Sequence, residues 1–164
     1  MNRITQLLFL SAILLLPSTL GCSDAPKSTK QVTVGNIPPA AWTDAVIESY
    51  DKEGGGGTMR IEIFEQGTGE VVEIDDRITV HYQGWIHGRD YFFDASFTRG
   101  QPISFPVGQK RVIPGWDLGL EGLKVGTKAR LHIPAELGYG AAGNGAQIPP
   151  GSKLVFDVKV VGAQ

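Results

Sequence analysis

Residues 114–123 read Pro-Gly-Trp-Asp-Leu-Gly-Leu-Glu-Gly-Leu, and they carry a helical pattern in a chain whose other patterns are those of strands. Its apolar residues Trp116, Leu120 and Leu123 fall on one face of a helix. Pro114 suits a first helical turn, where its missing N–H has no intrahelical partner to lose. We expect one short helix here, with Trp116 directed toward the interior of the domain.

On both sides of this helix, apolar and polar residues alternate with the period of two that is typical of half-buried strands. The alternating stretches lie at residues 59–63, 77–82, 103–105, 128–133 and 154–161. About five antiparallel strands and a single short helix predict an α+β domain in which the sheet wraps around the helix.

The composition excludes several classes of protein. Of the 164 residues, 41% are hydrophobic and 20% are charged, which is typical of a globular protein and not of a disordered one. The formal net charge of −2 and the lack of a basic cluster argue against a nucleic-acid partner. The three histidines and the single cysteine do not have the spacing of metal ligands, so we expect no metal site.

The first 21 residues have the pattern of an export signal. Arg3 precedes an apolar run at residues 7–16, which is too short to span about 30 Å of hydrocarbon. The following Thr19-Leu20-Gly21-Cys22 resembles a bacterial lipobox, although Thr19 replaces the usual leucine. We therefore expect residues 1–21 to be a signal peptide and Cys22 to be lipidated, which would anchor an exported lipoprotein at a membrane of the cell envelope, facing the periplasm or the exterior. The alternative to lipidation is soluble secretion, with Cys22 removed or left free. The alternative to a signal peptide is that the apolar run forms a buried helix of the folded domain.

Residues 22–57 are interpreted as a flexible tether between this anchor and the folded domain. The first part is polar and interrupted by prolines, as in linkers. Trp42, Val46 and Tyr50 have helical spacing, so a short helix is predicted at residues 42–50. The four glycines at 54–57 are interpreted as a flexible joint rather than a folded turn, which places the start of the domain at residue 58 and its end at residue 164.

Three groups of motifs add information that periodicity does not contain. They are Val-His-Tyr-Gln-Gly-Trp at 80–85 with Phe-Asp-Ala-Ser at 93–96, Val-Gly-Gln at 107–109 with Val-Ile-Pro-Gly-Trp at 112–116, and Ile-Pro-Ala-Glu-Leu-Gly-Tyr-Gly at 133–140 with Ile-Pro-Pro-Gly-Ser-Lys-Leu-Val-Phe-Asp-Val at 148–158. In this order and spacing, residues 58–163 resemble the FK506-binding protein (FKBP) family of peptidyl-prolyl cis-trans isomerases. The resemblance implies a bent antiparallel sheet around one short helix, with a shallow apolar pocket between them.

The resemblance also implies which residues form the site. Trp116 would be the floor on which a substrate proline rests, while the Tyr139 hydroxyl and the Ile113 N–H would hold substrate carbonyl groups. The implied catalytic residues are Tyr82, Asp94, Trp116 and Tyr139, and the implied substrate-binding residues are Phe93, Ile103, Phe105, Val112, Ile113, Ile148 and Phe156. Without the family resemblance, Trp116, Phe105 and Phe156 would be interpreted as ordinary core residues. Asp94 would be interpreted as a residue that caps a turn together with Ser96.

The chemistry of such a pocket follows from the peptide bond itself. Amide resonance gives an Xaa–Pro bond a rotation barrier of about 18–20 kcal/mol. Rotation makes and breaks no covalent bond, so we expect no cofactor. An apolar pocket that excludes water disfavours the dipolar planar amide more than the twisted one, and each difference of about 1.4 kcal/mol accelerates rotation tenfold.

The expected partners are proline-containing polypeptides and macrolides of the FK506 or rapamycin type. Ile103 replaces an aromatic residue often found at that pocket wall, which should weaken macrolide affinity. The loop at residues 86–92 is about one residue longer than usual and unusually aromatic. Because the long dimerisation helices of some relatives are missing, we expect a monomer. The alternative functions are a proline-binding module with little isomerase activity and a structural role in the envelope.

Overall fold

The structure is a computed structural model, and it describes residues 45–164. Seven strands form one sheet in the order β1-β2-β6-β7-β3-β4, and β5 also pairs with β3. All of the strand pairings are antiparallel. The elements are β1 Glu48–Gly54, β2 Gly57–Glu65, β3 Arg77–Ile86, β4 Phe92–Ala95, α1 Ser96–Arg99, β5 Ile103–Pro106, α2 Pro114–Leu120, β6 Lys128–Ile133, a 3-10 turn Ala135–Leu137 and β7 Leu154–Gly162.

The predicted α+β architecture is confirmed, and α2 packs on the inner face of the sheet. Gly115 and Gly119 allow this close approach. A β-carbon on Gly115 would lie 2.5 Å from the Ile133 side chain, and one on Gly119 would lie 2.8 Å from that of Met59. Since such distances are too short for carbon atoms, any larger residue would push the helix off the sheet. The helix ends three residues earlier than the pattern suggested, because Glu121 is extended and Gly122 has a φ of 82°.

The core lies between α2 and the inner face of the sheet. Alternate residues of β2 and β6 point into it and are almost fully buried, and β3 and β7 complete the same surface. The periodicity of these four strands therefore identifies the inner face correctly. Five of the seven strands coincide with the predicted ones, while β1 and β4 were not predicted.

The prediction of a helix at residues 42–50 is wrong for its last three residues, which open strand β1. Residues 42–44 lie outside the described part of the chain, and residues 45–47 have no regular structure. Strand β1 pairs with β2 from Glu48↔Ile63 to Gly54↔Gly57. Gly55 and Gly56 therefore form a hairpin turn, so the interpretation of the four glycines as a flexible joint is also wrong. The sheet begins at residue 48, ten residues before the predicted start of the domain.

Lys52 links strand β1 to the end of helix α2. Lys52 Nζ donates hydrogen bonds to the carbonyl oxygens of Leu118 at 3.0 Å and Glu121 at 2.7 Å. These carbonyls belong to the end of α2, where the last groups have no partner within the helix. A cation is favourable there, and burial lowers the pKa of Lys52.

The outer face of the sheet carries a buried ion pair. Arg130 on β6 donates two hydrogen bonds, of 2.6 and 3.0 Å, to Asp157 on β7. Gln83 on β3 donates a third at 3.1 Å, and the Asp157 side chain is 1% exposed. The Arg130 guanidinium also lies 5.2 Å from the ring centres of both Phe64 and Trp85. This network joins three neighbouring strands on the face opposite α2.

In residues 45–164 no helix is long and apolar enough to cross a membrane.

Candidate active site

A cavity of about 210 Å³ opens between helix α2, strands β3 to β5 and the loops that follow β5 and β6. Nine of the eleven residues implied by the family resemblance line it, namely Tyr82, Phe93, Asp94, Ile103, Val112, Ile113, Trp116, Tyr139 and Phe156. The tenth lining residue, Arg111, was not predicted. The structure therefore brings together side chains that are up to 74 positions apart in the sequence (from Tyr82 to Phe156).

Aromatic rings pack edge to face around Trp116. Its ring centre lies 5.0 Å from that of Tyr82 and 5.2 Å from that of Phe156, with interplanar angles of 82° and 86°. Phe93 contacts Phe156 in the same edge-to-face manner at 5.6 Å. Such contacts fix ring orientations beyond what area burial alone provides. Trp116 is thus held rigidly in the floor of the cavity.

Phe105 and Ile148, the other two implied residues, do not line the cavity. Phe105 is 6% exposed and its ring lies 5.6 Å from Trp116, so it supports the tryptophan from behind. Ile148 is 3% exposed and belongs to the core cluster. Its backbone exchanges hydrogen bonds of 2.8 and 3.2 Å with that of Asn144, which folds the loop after Tyr139 back on itself.

The polar edge of the cavity is a network of Tyr82, Asp94 and Arg99. The Tyr82 hydroxyl donates to Asp94, and Arg99 donates both to Asp94 and, at 2.8 Å, to the Tyr82 oxygen. Asp94 therefore makes contacts quite different from the turn cap with Ser96 that its sequence position also allowed. Ser96 instead accepts a hydrogen bond from the Tyr82 backbone N–H at 2.7 Å and donates to the Tyr82 carbonyl at 3.1 Å.

The Tyr82 phenol keeps its proton because of this environment. Burial, reinforced by the hydrogen bond to Asp94, raises the pKa of Tyr82 to about 12, against an ordinary value of 10.0. An apolar surrounding penalises the phenolate, and the adjacent carboxylate repels it. Tyr82 is consequently a hydrogen-bond donor across the whole physiological range, and Asp94 is already occupied before any ligand arrives.

The loop before α2 presents the Ile113 backbone to the cavity. Asp117, in the first turn of α2, accepts hydrogen bonds from the backbone N–H groups of Gly108 at 2.9 Å and Lys110 at 3.0 Å. Gly108 and Lys110 have φ values of 79° and 56°, a left-handed conformation that turns the loop back toward the helix. The Ile113 N–H donates to no group in residues 45–164, and neither does the half-buried Tyr139 hydroxyl. Two donors are thus available to a ligand.

Arg99 and Arg111 are the site residues that sequence reasoning missed. Arg99 reaches the cavity edge because helix α1 is a single turn that returns the chain toward β3. The sequence feature that could have pointed to Arg99 is its spacing of five residues from Asp94, which allows an ion pair. No sequence feature points to Arg111, because exposed cations in loops are common. The aromatic loop at 86–92 does not extend the cavity: Phe92 packs edge to face on Trp85 at 5.6 Å, and Tyr91 is largely exposed.

The side chains of this cavity suit an apolar ligand with carbonyl groups rather than a metal ion. Within residues 45–164 there is no group of three or more histidine, cysteine, aspartate or glutamate side chains placed to hold a metal. The lining combines five aromatic rings and three aliphatic side chains with a few polar groups at the rim. This combination is typical of sites that recognise small apolar groups with defined orientation.

Comparison with known proteins agrees with this geometry. The family model for the FKBP-type peptidyl-prolyl cis-trans isomerase matches residues 69–161. An FK506-binding protein of Neisseria meningitidis is 43% identical over 105 residues, which cover 64% of this chain and 95% of that protein. The peptidyl-prolyl cis-trans isomerase FPR2 of Saccharomyces cerevisiae is 48% identical over 86 residues, covering 52% of this chain and 64% of the relative.

A solved structure shows the same fold. The crystal structure of FkpA from Escherichia coli superposes with a TM-score of 0.60 at 42% sequence identity. The match covers 70% of this chain and 51% of FkpA, so this chain spans about half of the length of that protein. With a family match over more than half of its length and a 43% identical relative covered over 95% of that relative's length, the chain belongs to the FKBP-type peptidyl-prolyl cis-trans isomerase family.

Proposed function

We propose that this protein catalyses rotation about Xaa–Pro peptide bonds in exported polypeptides and so assists their folding. The observation that carries the proposal is the aromatic cavity floored by Trp116, with two unpaired hydrogen-bond donors at its rim. A proline ring is apolar and compact and has little conformational freedom to lose on binding. The cavity is matched to such a ring and to the carbonyl groups on either side of it.

Each group of the cavity has a distinct role in this proposal. The proline ring lies on Trp116, between Tyr82, Phe156 and the aliphatic side chains of Val112 and Ile113. The Ile113 N–H and the Tyr139 hydroxyl donate to substrate carbonyl oxygens and hold the chain on both sides of the rotating bond. Asp94 accepts hydrogen bonds from Tyr82 and Arg99 and so fixes the orientation of both side chains. It lies at the edge of the cavity, where polar groups of a ligand can approach it.

The rate effect comes from the difference between the planar and the twisted amide. The planar amide is strongly dipolar and loses hydration in the aromatic cavity, whereas the twisted amide has lost its resonance and its large dipole. The cavity therefore disfavours the ground state more than the transition state. Each difference of about 1.4 kcal/mol corresponds to a tenfold acceleration.

The test is isomerisation of a short Xaa–Pro peptide by the protein and by two variants. Tyr139→Phe removes one hydrogen bond to substrate, so we expect kcat/KM to fall about fivefold, as for the loss of about 1 kcal/mol. Trp116→Leu removes the floor, and we expect a loss of at least about tenfold. The matched controls are Tyr91→Phe and Trp85→Leu, which alter the same residue types outside the cavity and should retain activity.

Circular dichroism must show that both cavity variants are folded. Binding of proline peptides by the wild-type protein without any acceleration would contradict the proposal and would favour the proline-binding module. A macrolide of the FK506 type should compete with the peptide, with an affinity limited by Ile103, whose side chain occupies a position on the cavity wall.

We further propose that lipidation of Cys22 anchors the protein to a membrane of the cell envelope and faces it toward the periplasm or the exterior. The support is the sequence alone: an apolar run at residues 7–16, followed by Thr-Leu-Gly-Cys at 19–22. A single acyl chain gives only reversible membrane binding, whereas two or more chains hold a protein firmly. Proteolytic removal of residues 1–21 would leave Cys22 as the lipidated N-terminus of a monomeric, tethered enzyme.

Substituting Cys22→Ser should move the protein from the membrane fraction to the soluble fraction while leaving its isomerase activity unchanged, since no residue of the cavity lies near Cys22 in sequence. Fractionation of cells and metabolic labelling with a fatty acid measure the two effects. Equal membrane retention of the Cys22→Ser protein would exclude this anchor.

A further inference from the structure

A second cavity, of about 240 Å³, lies at one end of the sheet and shares no lining residue with the aromatic cavity. It is formed by β2, β6, the start of β7 and the residue that follows β3. Its lining residues are Thr58, Arg60, His87, His132, Ile133, Pro134, Lys153, Leu154 and Val155. Isomerisation of a proline bond does not require any of them.

Four basic side chains from four segments converge on this second cavity. Arg60 and His132 are directly opposite each other on β2 and β6. Lys153 immediately precedes β7, and His87 immediately follows β3. The His87 backbone N–H donates to the Lys153 carbonyl at 2.9 Å, which places these two residues side by side. No aspartate or glutamate lines the cavity.

The acidic group that contacts this cluster balances only part of its charge. Glu62 lies 3.4 Å from the Arg60 guanidinium and 3.1 Å from His132 Nε2. Arg60 also donates to the Ser49 hydroxyl at 2.9 Å. The side chains of His87 and Lys153, in contrast, have no hydrogen-bond or ion-pair partner in residues 45–164. Asp51 and Glu53 also lie opposite Arg60 and Thr58 on β1, but neither forms an ion pair with the basic side chains of the cavity. Lys153 therefore keeps an unbalanced positive charge at its end of the cavity.

We propose that this second cavity binds a phosphate group. Lys153 and the outer guanidinium edge of Arg60 supply the charge, while the His87 ring and the Thr58 hydroxyl supply further hydrogen bonds. A tetrahedral oxyanion accepts several such bonds at once, and charge-assisted bonds are about twice as strong as neutral ones. Guanidinium and ammonium groups together form a common phosphate-binding combination. Free phosphate and a phosphomonoester, such as a lipid headgroup, present the same chemistry to the cavity.

The test is binding of inorganic phosphate and of glycerol 3-phosphate to the full-length chain, measured by thermal unfolding against chloride at matched ionic strength. We expect phosphate to raise the unfolding temperature more than chloride does. The double variant His87→Gln/Lys153→Gln should weaken phosphate binding by about tenfold or more, as expected for the loss of charge-assisted bonds. Tighter binding of the ester than of free phosphate would identify a headgroup as the source of the ligand.

Lys124→Gln is the matched control, because Lys124 is an exposed lysine away from both cavities. It should bind phosphate as the wild-type protein does, and all variants should keep their isomerase activity, which shows that they are folded. A second readout is the shift of the backbone amide signals of His87 and Lys153 on addition of phosphate. The proposal is overturned if phosphate and chloride act alike, or if the double variant and Lys124→Gln lose the same amount of binding.

Discussion

At the scale of single residues, Tyr82 connects the interior of the aromatic cavity to its polar edge. Its ring packs against Trp116, and its hydroxyl donates to Asp94 while it accepts from Arg99. The same side chain is therefore part of the core and part of the site. This double role explains why its proton is retained so strongly, because loss of that proton would place a buried anion beside the Asp94 carboxylate.

Tyr82 should make the protein sensitive to strongly alkaline pH. The pKa of Tyr82 is raised in the folded state to about 12, from an ordinary value of 10.0. The folded state therefore holds this proton more tightly than the unfolded state does. The resulting stability is complete below pH 10 and is lost as the pH rises toward 12. In Tyr82→Phe, the decrease in the free energy of unfolding over this interval should be smaller, which denaturant unfolding at several pH values measures.

Tyr91→Phe is the control for this measurement, since it removes the hydroxyl of an exposed tyrosine outside the aromatic cavity. Burial and the nearby Glu48 raise the pKa of Tyr50 as well, so part of the decrease should persist in Tyr82→Phe. Parallel curves for Tyr82→Phe and the wild-type protein would show that the phenol is not the group responsible.

Among the helices and strands, β1 is the element that differs most from the sequence prediction. Its sequence Glu-Ser-Tyr-Asp-Lys-Glu-Gly has almost no apolar alternation, because it is an edge strand with most of its side chains in water. Periodicity detects strands by their buried face, so an edge strand of this kind gives no signal. The predicted helix fails at Tyr50, which reaches the core from a strand, and Val46 lies in no regular element.

Removal of β1 should destabilise the domain although β1 lies outside the matched family segment. A chain beginning at residue 58 lacks the seven pairs with β2 and both Lys52 hydrogen bonds to the end of α2. We expect it to be less stable by at least about 2 kcal/mol, the order of two hydrogen bonds from a charged donor. Urea unfolding of this chain and of one beginning at residue 45 measures the difference.

The chain beginning at residue 45 is the control for length, and Lys52→Met isolates the contribution of the lysine. The shorter chain should also aggregate more readily, because the backbone edge of β2 becomes available for pairing with other chains. Equal urea midpoints for the chains that begin at 45 and 58 would mean that β1 contributes nothing to stability.

At the scale of the whole molecule, the buried network of Gln83, Arg130 and Asp157 ties together β3, β6 and β7. Asp157→Ala would leave the Arg130 guanidinium and the Gln83 amide without their acceptor. We expect the free energy of unfolding to fall by about 3 kcal/mol, near the lower end for breaking a buried ion pair, because Arg130 is partly exposed. Chemical denaturation provides this value.

Two further variants separate the loss of the ion pair from the loss of packing. Asp90→Ala removes an exposed carboxylate in a loop and should change stability by less than about 0.5 kcal/mol. The apolar pair Arg130→Met/Asp157→Leu should recover most of the stability, since it leaves no buried charge unpaired. A double variant as unstable as Asp157→Ala would indicate that shape, not charge, determines the contribution of this network.

Most of the architecture could be predicted from the sequence, and the reasons for the exceptions are physical. Strands with one buried face, such as β6, and the helix with Trp116 on its inner side carry a periodic signal. Strand β4 shows none, because its first three residues are all half-buried and do not alternate between a buried and an exposed face. Eight of the nine predicted cavity residues lie in the family motifs, and Ile103 follows from its position in the same resemblance, whereas the places of Arg99 and Arg111 depend on how the loops fold back in space. No local pattern contains that information.

The surroundings of Trp116 have an optical consequence. Its indole is 4% exposed, its N–H has no hydrogen-bond partner in residues 45–164, and aromatic rings surround it. An indole in such a place emits fluorescence at shorter wavelength than one in water, and a ring placed on its face alters that emission. The chain has two other tryptophans, Trp42 and Trp85, and replacing both with phenylalanine would leave Trp116 as the sole tryptophan, which can be excited apart from the tyrosines. The protein would then report the occupancy of its own cavity without any added dye.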